Sequence, residues 1–333
     1  VITNINKFLK KEGLLKGDLT FTSSYTDVNE IMDIFNGMGA NDTIVKDTPV
    51  ETNESVETAE EDDPFMVPLG VDITLNTKIE SAKAGNMDLA NVGGMLTVKD
   101  GTLILQEMGF TSNAARMLLT AMYKSPRKNH LYVGLDFHLL DIDIAEMIRI
   151  IPDLDTIVPM LKSFSGKAEF HLAAETNLKS NYEPKISTLR GATSIKGKDL
   201  VVLDSETFKM ISKYLLMGKD AKNQIDSLSV EIGVFKNEVD VYPFLIAMDD
   251  YQVAISGRHF LDMTFDYNLS VIRPPIINRL GLDINGSIDN LQYHLIKSKH
   301  VNLFKPDKRD HIQEQILRVK AAIAKSLEDN IKE

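Results

Sequence analysis

The feature that most constrains this chain is a two-residue alternation running from Tyr251 to Val271. The odd positions read Tyr, Val, Ile, Gly, His, Leu, Met, Phe, Tyr, Leu, Val, and the even ones Gln, Ala, Ser, Arg, Phe, Asp, Thr, Asp, Asn, Ser. Successive side chains of a strand point to opposite faces, so the pattern specifies one apolar and one wet face. A single straight strand of that length would run about 70 Å, well beyond the usual strand. Either Gly257 marks a turn or bulge between two strands, or the sheet is unusually long. The alternation recurs at Leu69, Val71, Ile73 and Leu75, and again at Leu131, Val133, Leu135, Phe137 and Leu139. Shorter copies at Leu96–Val98 and Leu103–Leu105 flank Lys99-Asp100-Gly101, where Asp-Gly signals a hairpin. Asn237, Gly281 and Asn285-Gly286 read as punctuation between later strands. These spacings predict a mainly β, β-rich α+β fold. The expected form is an elongated, curved, largely antiparallel sheet with a few short helices packed on or against its apolar face.

Helix signals are fewer. Asp27-Val-Asn-Glu30 followed by Ile31, Met32, Ile34 and Phe35 has an N-cap aspartate with glutamate at the third helical position. Asp143-Ile-Ala-Glu146 followed by Met147, Ile148, Ile150 and Ile151 repeats the device. Aligned without a gap, Leu19–Phe35 and Leu135–Ile151 share five identities, which predicts a strand-then-helix unit used twice. Ser205–Leu216 reads as a third short helix, and Asp307–Asn330 carries Ile312, Ile316, Val319, Ile323 and Leu327 at helical spacing. Between Asn41 and Asp63 nine acids face one base, Lys46, with no sustained period, which predicts a solvated, flexible loop. The expected organisation is a strand–helix unit over 1–40, the acidic loop over 41–63, a curved β region over 64–304 and a helix over 305–333.

Composition excludes several chemistries. With no cysteine among 333 residues, disulfides, thiolate metal sites and cysteine nucleophiles are ruled out. The balance of 37 basic and 48 acidic residues gives −11 and predicts no nucleic-acid partner. The longest apolar runs, such as Phe244–Met248, are too short to cross a bilayer. The chain begins at Val1, which leaves room for an upstream signal or anchor.

Catalytic and metal motifs are also missing. There is no His-Glu-x-x-His, Gly-x-Ser-x-Gly or Gly-x-Gly-x-x-Gly. Gly191-Ala-Thr-Ser-Ile-Lys-Gly197-Lys198 imitates a phosphate loop, but its spacing is one residue too long and Asp199 would repel phosphate; it reads as a β-turn. Asp141-Ile-Asp143 imitates a metal-holding dipeptide, yet Asp143 is better used as a helix cap. The seven histidines form no close pair in sequence, and His138 and His171 read as core-edge or solvent-facing strand residues. No catalytic residue, metal site or cofactor is expected, and the chain reads as a non-enzyme. Fourteen methionines, among them Met32, Met95, Met108, Met117, Met122, Met147 and Met263, suit either an adaptable apolar surface or ordinary core filling.

Three stretches carry a family resemblance: Val71–Leu75 with Met87–Leu105, then Ile225–Val241 running on to Gly257, then Leu282–Ile288. Together they resemble the C-terminal region of the AsmA-like proteins of the Gram-negative envelope, over about Leu69 to Lys297. The acidic loop departs from that pattern. So does Gly109-Phe-Thr-Ser-Asn-Ala-Ala115, where a Gly-Gly dipeptide commonly introduces the next strand. The resemblance implies a periplasmic body tethered to the inner membrane by a segment preceding Val1, with a role in outer-membrane biogenesis and phospholipid traffic. It implies a curved groove whose apolar positions Val71, Ile73, Leu75, Leu103, Leu105, Val133, Leu135 and Phe137 face lipid. The partners expected are phospholipid or another acyl-chain ligand and other envelope proteins. The alternative is an envelope scaffold that carries no lipid, in which those residues form a plain core.

Overall fold

The computed structural model describes residues 2–3, 13–30, 64–150, 164–202, 224–248, 251–261, 264–273, 280–287, 290–299 and 310–328, together with Lys209 and Lys213. Its strands, in chain order, begin with β1 (Ile2–Thr3), β2 (Leu15–Asp27), β3 (Val71–Ala84), β4 (Met87–Lys99) and β5 (Thr102–Thr111). Then come β6 (Arg116–Arg127), β7 (His130–Asp143), β8 (Phe164–Leu178), β9 (Arg190–Val202) and β10 (Gln224–Phe235). The last are β11 (Glu238–Met248), β12 (Tyr251–Phe260), β13 (Thr264–Arg273), β14 (Leu280–Ser287) and β15 (Asn290–Lys297). All fifteen form one sheet, and spatial order follows sequence order. The sheet is curved and does not close into a barrel. Every neighbouring pair is antiparallel except β2 and β3, which are parallel with Leu19 opposite Leu75. Short hairpin turns join β3 to β4, β4 to β5, β6 to β7, β10 to β11 and β11 to β12, whereas longer segments separate β2 from β3, β7 from β8 and β9 from β10.

The alternation between Tyr251 and Val271 belongs to two strands, and the turn falls at Leu261 rather than at Gly257. Across that hairpin Val253 pairs with Val271 and His259 with Phe265, so odd residues stay on one face and the period reads straight through the turn. Gly257 instead makes room inside β12. A Cβ there would lie 2.6 Å from the Asp266 carbonyl oxygen and 2.7 Å from the Tyr267 ring. Asn285-Gly286 likewise lies within β14, where Gly286 has φ +116° and a Cβ would collide with the Asn290 carbonyl oxygen. The Gly191–Lys198 segment is not a turn but part of β9. Asp100 and Gly101 do form the expected tight turn, with φ of 39° and 77°, the paired positive values that a type I′ hairpin needs.

Helix α1 (Ile144–Ile150) begins where β7 ends. The Glu146 amide donates to Asp143 Oδ1 at 3.1 Å, and the Lys167 ammonium donates to Asp143 Oδ2 at 2.9 Å. In the earlier copy the Asn29 amide donates to Asp27 Oδ1 at 2.9 Å and residues 28–30 are helical. The residues predicted to continue that helix, the acidic 41–63 segment and nearly all of 205–216 lie outside the described residues. Asp143→Ala is expected to lower thermal stability by about 1 kcal/mol, the usual worth of an N-cap. The Lys167 hydrogen bond, then the Glu146 amide, holds the Asp143 carboxyl below its ordinary value of 3.8. A carboxyl depressed in the folded state contributes stability above about pH 4, and loses it as the pH falls through the folded value. Melting curves recorded from neutral to acid pH should therefore converge for wild type and Asp143→Ala.

Helix α2 (His311–Glu328) is capped by Asp310, whose Oδ1 accepts the Gln313 amide at 2.9 Å. The 3–4 spacing of Ile312, Ile316, Val319 and Ile323 puts all four on its buried stripe. They pack on Ile104, Met122, Ala173 and Ala192 of β5, β6, β8 and β9. A second cluster forms around α1 with Ala114, Ile142, Ile144, Met147, Leu200 and Ile225. A third occupies β12 to β14 with Val253, Leu269, Val271 and Leu282.

Candidate functional site

Register fixes which side chains share a face, because directly paired residues point the same way. One row runs Leu19, Leu75, Leu96, Leu105, Ala121, Leu135, Ala174, crossing β2 through β8 one residue per strand. The adjacent row runs Ile73, Val98, Leu103, Tyr123, Val133. A third runs Met108, Leu119, Phe137, Leu172. All three rows lie on the same face, and every residue in them is half-buried. Ile104 and Met122 are the sequence neighbours of Leu103, Leu105, Ala121 and Tyr123, and they point to the opposite face, where α2 covers them completely. Helix α2 therefore lies behind the three rows and leaves them clear.

The eight positions predicted from sequence are thus brought to one face. Seven of them, Ile73, Leu75, Leu103, Leu105, Val133, Leu135 and Phe137, keep part of their surface exposed. Val71 differs. It lies at the strand end with 8% exposure, beside the Asp100 turn, whose amide donates to the Val71 carbonyl at 2.9 Å. Across seven strands the first row spans about 29 Å at the usual 4.8 Å strand spacing. The hydrocarbon core of a bilayer is about 30 Å thick and holds two leaflets, so an acyl chain laid along the row fits within its length.

The apolar face survives irregularities in the strands because the sequence changes phase with them. A register shift between Leu105 and Met108, with Glu107 at φ 50°, moves the apolar set of β5 from Leu103 and Leu105 to Met108 and Phe110. Asp141 does the same in β7 at φ 54°, between Leu139 and Ile142. In β11 the shift falls at Tyr242-Pro243, and the set moves from Val239 and Val241 to Phe244 and Ile246. Proline lacks the amide a central ladder would use, so it is tolerated at this bulge.

Beside the apolar patch under α2, the opposite face carries polar groups. His138 and His171 pair directly across β7 and β8, with their rings stacked 4.1 Å apart and 5° from parallel. His171 Nε2 lies 2.6 Å from Asp136, His138 Nε2 lies 3.0 Å from Glu169, and Lys196 lies 3.5 Å from Glu169. Sequence spacing could not reveal this pair, because the histidines are joined only by strand register. Among the described residues, neither imidazole is hydrogen-bonded to a serine or threonine hydroxyl. Among the described residues no group of three or more His, Cys, Asp or Glu is placed to hold a metal ion. Nearby, Tyr132 donates to Glu175 at 3.0 Å, and Arg318 of α2 bonds the other Glu175 oxygen at 2.9 and 3.2 Å. Burial first, and the Glu175 charge second, push the Tyr132 phenol well above its ordinary range. These polar groups tie α2 to the sheet.

Of the methionines, Met122 and Met147 are buried core residues, whereas Met95, Met108 and Met117 are half-buried. Met32 and Met263 lie outside the described residues. Comparison with family models, curated protein sequences and solved structures returns no match.

Proposed function

We propose that this chain is a non-enzymatic lipid-handling module of the AsmA-like kind, holding phospholipid or another acyl-chain ligand against its apolar sheet face. The single observation that supports the reading is the half-exposed apolar surface crossing β2 to β8, while the long helix α2 sits on the other side; among the described residues the strap at Phe65 meets this surface at Tyr123. A packed core would use α2 to cover the apolar rows. Here the helix covers Ile104 and Met122, and Leu75, Leu105 and Leu135 keep solvent contact. Acyl chains gain about 0.8 kcal/mol per buried CH₂, which holds lipid without directional chemistry. In this reading the protein acts in the periplasm, tethered to the inner membrane, in outer-membrane biogenesis.

The test is lipid uptake. Purified protein is incubated with a fluorescent phospholipid and separated from free lipid, and co-purified lipid is identified by mass spectrometry. Stoichiometric lipid supports the reading. No lipid under either condition would favour the scaffold alternative, in which the face serves other envelope proteins.

A further inference from the structure

We infer that the strand ends where β3 starts and β4 turns into β5 form a preformed docking edge for an anionic lipid bilayer. Six of the fourteen strongly exposed large apolar side chains among the described residues gather there. Phe65, Met66, Leu69, Tyr182, Ile186 and Phe235 are 37–70% exposed, and all sit in the turns and straps at this end. The opposite strand ends contribute Tyr25, Leu118 and Leu295, each two residues from the end of its strand.

The edge is built rather than frayed. The Val67 amide donates to Ser125 Oγ at 2.7 Å, and the Tyr123 hydroxyl donates to the Phe65 carbonyl at 2.8 Å, so the strap is pinned with Val67 buried and Phe65, Met66 and Leu69 exposed. The Phe65 amide also donates to the Tyr182 hydroxyl, which joins the strap to the β8–β9 loop. Backbone bonds continue the line: Gly101 to Pro68, Ser125 to Gly101, Lys236 to Leu189 and Leu261 to Asn237. One hydrogen-bonded border thus runs from β3 to β13. Exposed apolar groups held this firmly, away from any core, gain free energy only by entering another apolar phase.

Charge selects the bilayer as that phase. The chain carries −11, yet the described tips here are net basic, with Arg127, Lys128, Lys185, Arg190 and Lys236 against Asp100, Glu183 and Glu238. The Arg190 guanidinium lies 4.9 Å and the Lys236 ammonium 5.1 Å from the Phe235 ring centroid. An aromatic with a cationic collar suits the membrane interface, where the ring enters the acyl boundary and the cations meet lipid phosphates. A protein partner would need a matching acidic, apolar groove; an anionic bilayer supplies both properties along the whole edge.

The inference does not depend on what the sheet face holds, and the test separates the two. Full-length protein is sedimented with vesicles of phosphatidylcholine alone and of phosphatidylcholine mixed with phosphatidylglycerol. Wild type should prefer the mixed vesicles and lose that preference at high salt. Phe65→Ser with Leu69→Ser should lower vesicle affinity about tenfold or more at unchanged melting temperature. If that pair disturbs folding, Ile186→Ser with Phe235→Ser gives the same reading from the other half of the edge. Arg127→Glu with Lys236→Glu should remove the anionic preference. Wild type that ignores vesicles overturns the inference, as does binding indifferent to these variants. Binding lost in Leu135→Glu but retained in the edge variants assigns vesicle contact to the sheet face, and also overturns it.

Discussion

Leu135→Glu is expected to abolish uptake of a fluorescent phospholipid while leaving the protein folded. Leu135 is the sixth of the seven residues in the longest apolar row, flanked by Ala121 and Ala174 on the neighbouring strands. A carboxylate there would face the acyl chain directly, and its desolvation would oppose lipid entry by several kcal/mol. Without lipid the same carboxylate can stay hydrated, because the position is only half-buried. The cost to folding is then the lost burial of part of a leucine, about 1 kcal/mol. Ile73→Glu, one row away on β3, should behave the same way. The measurement pairs melting temperature with lipid binding for each variant. If both variants unfold and wild type takes up no lipid, the face is a closed core and the lipid reading fails.

The legible part of the fold was the part with one wet face. β3, β7, β12 and β13 alternate cleanly, and the eight candidate positions read from such stretches fall on one surface. β6 is different. Met117, Leu119, Ala121 and Tyr123 line the apolar rows, but Leu118 and Met122 interleave with them, since Met122 is buried under α2. A strand apolar on both faces loses its period-two signal, so Leu119 and Ala121 went unread. Turn positions were legible only where a turn demands special backbone. Asp100-Gly101 needs two positive φ angles and marks its hairpin. Asn285-Gly286 looks the same in sequence, but there the glycine yields space to a neighbouring strand. The stacked histidines and the docking edge depend on register and on cross-loop hydrogen bonds, which no local pattern encodes.

The two faces should also respond oppositely to the same chemical insult, and Val319→Asp makes the comparison sharpest. Val319 is fully buried where α2 meets Ile104 and Met122, with Tyr132 and Ala322 packed around it. An aspartate there would lie inside an apolar cluster, and an uncompensated buried charge costs about 3–5 kcal/mol. That is a large share of the 5–15 kcal/mol that stabilises an ordinary domain. Loss of the contact would release the helix stripe and expose Ala173, Ala192, Ile104 and Met122 together. The expected result is a melting temperature lowered by many degrees with a broadened transition, and rapid proteolysis within α2. Arg318, which bonds Glu175 from the exposed side of the helix, gives the contrast: Arg318→Ala should cost about 1 kcal/mol or less, since half of its side chain is exposed to water. If Val319→Asp melts like wild type, α2 contributes little to the fold. The distinction between a helix-covered and a half-exposed face, on which the lipid reading depends, would then be lost.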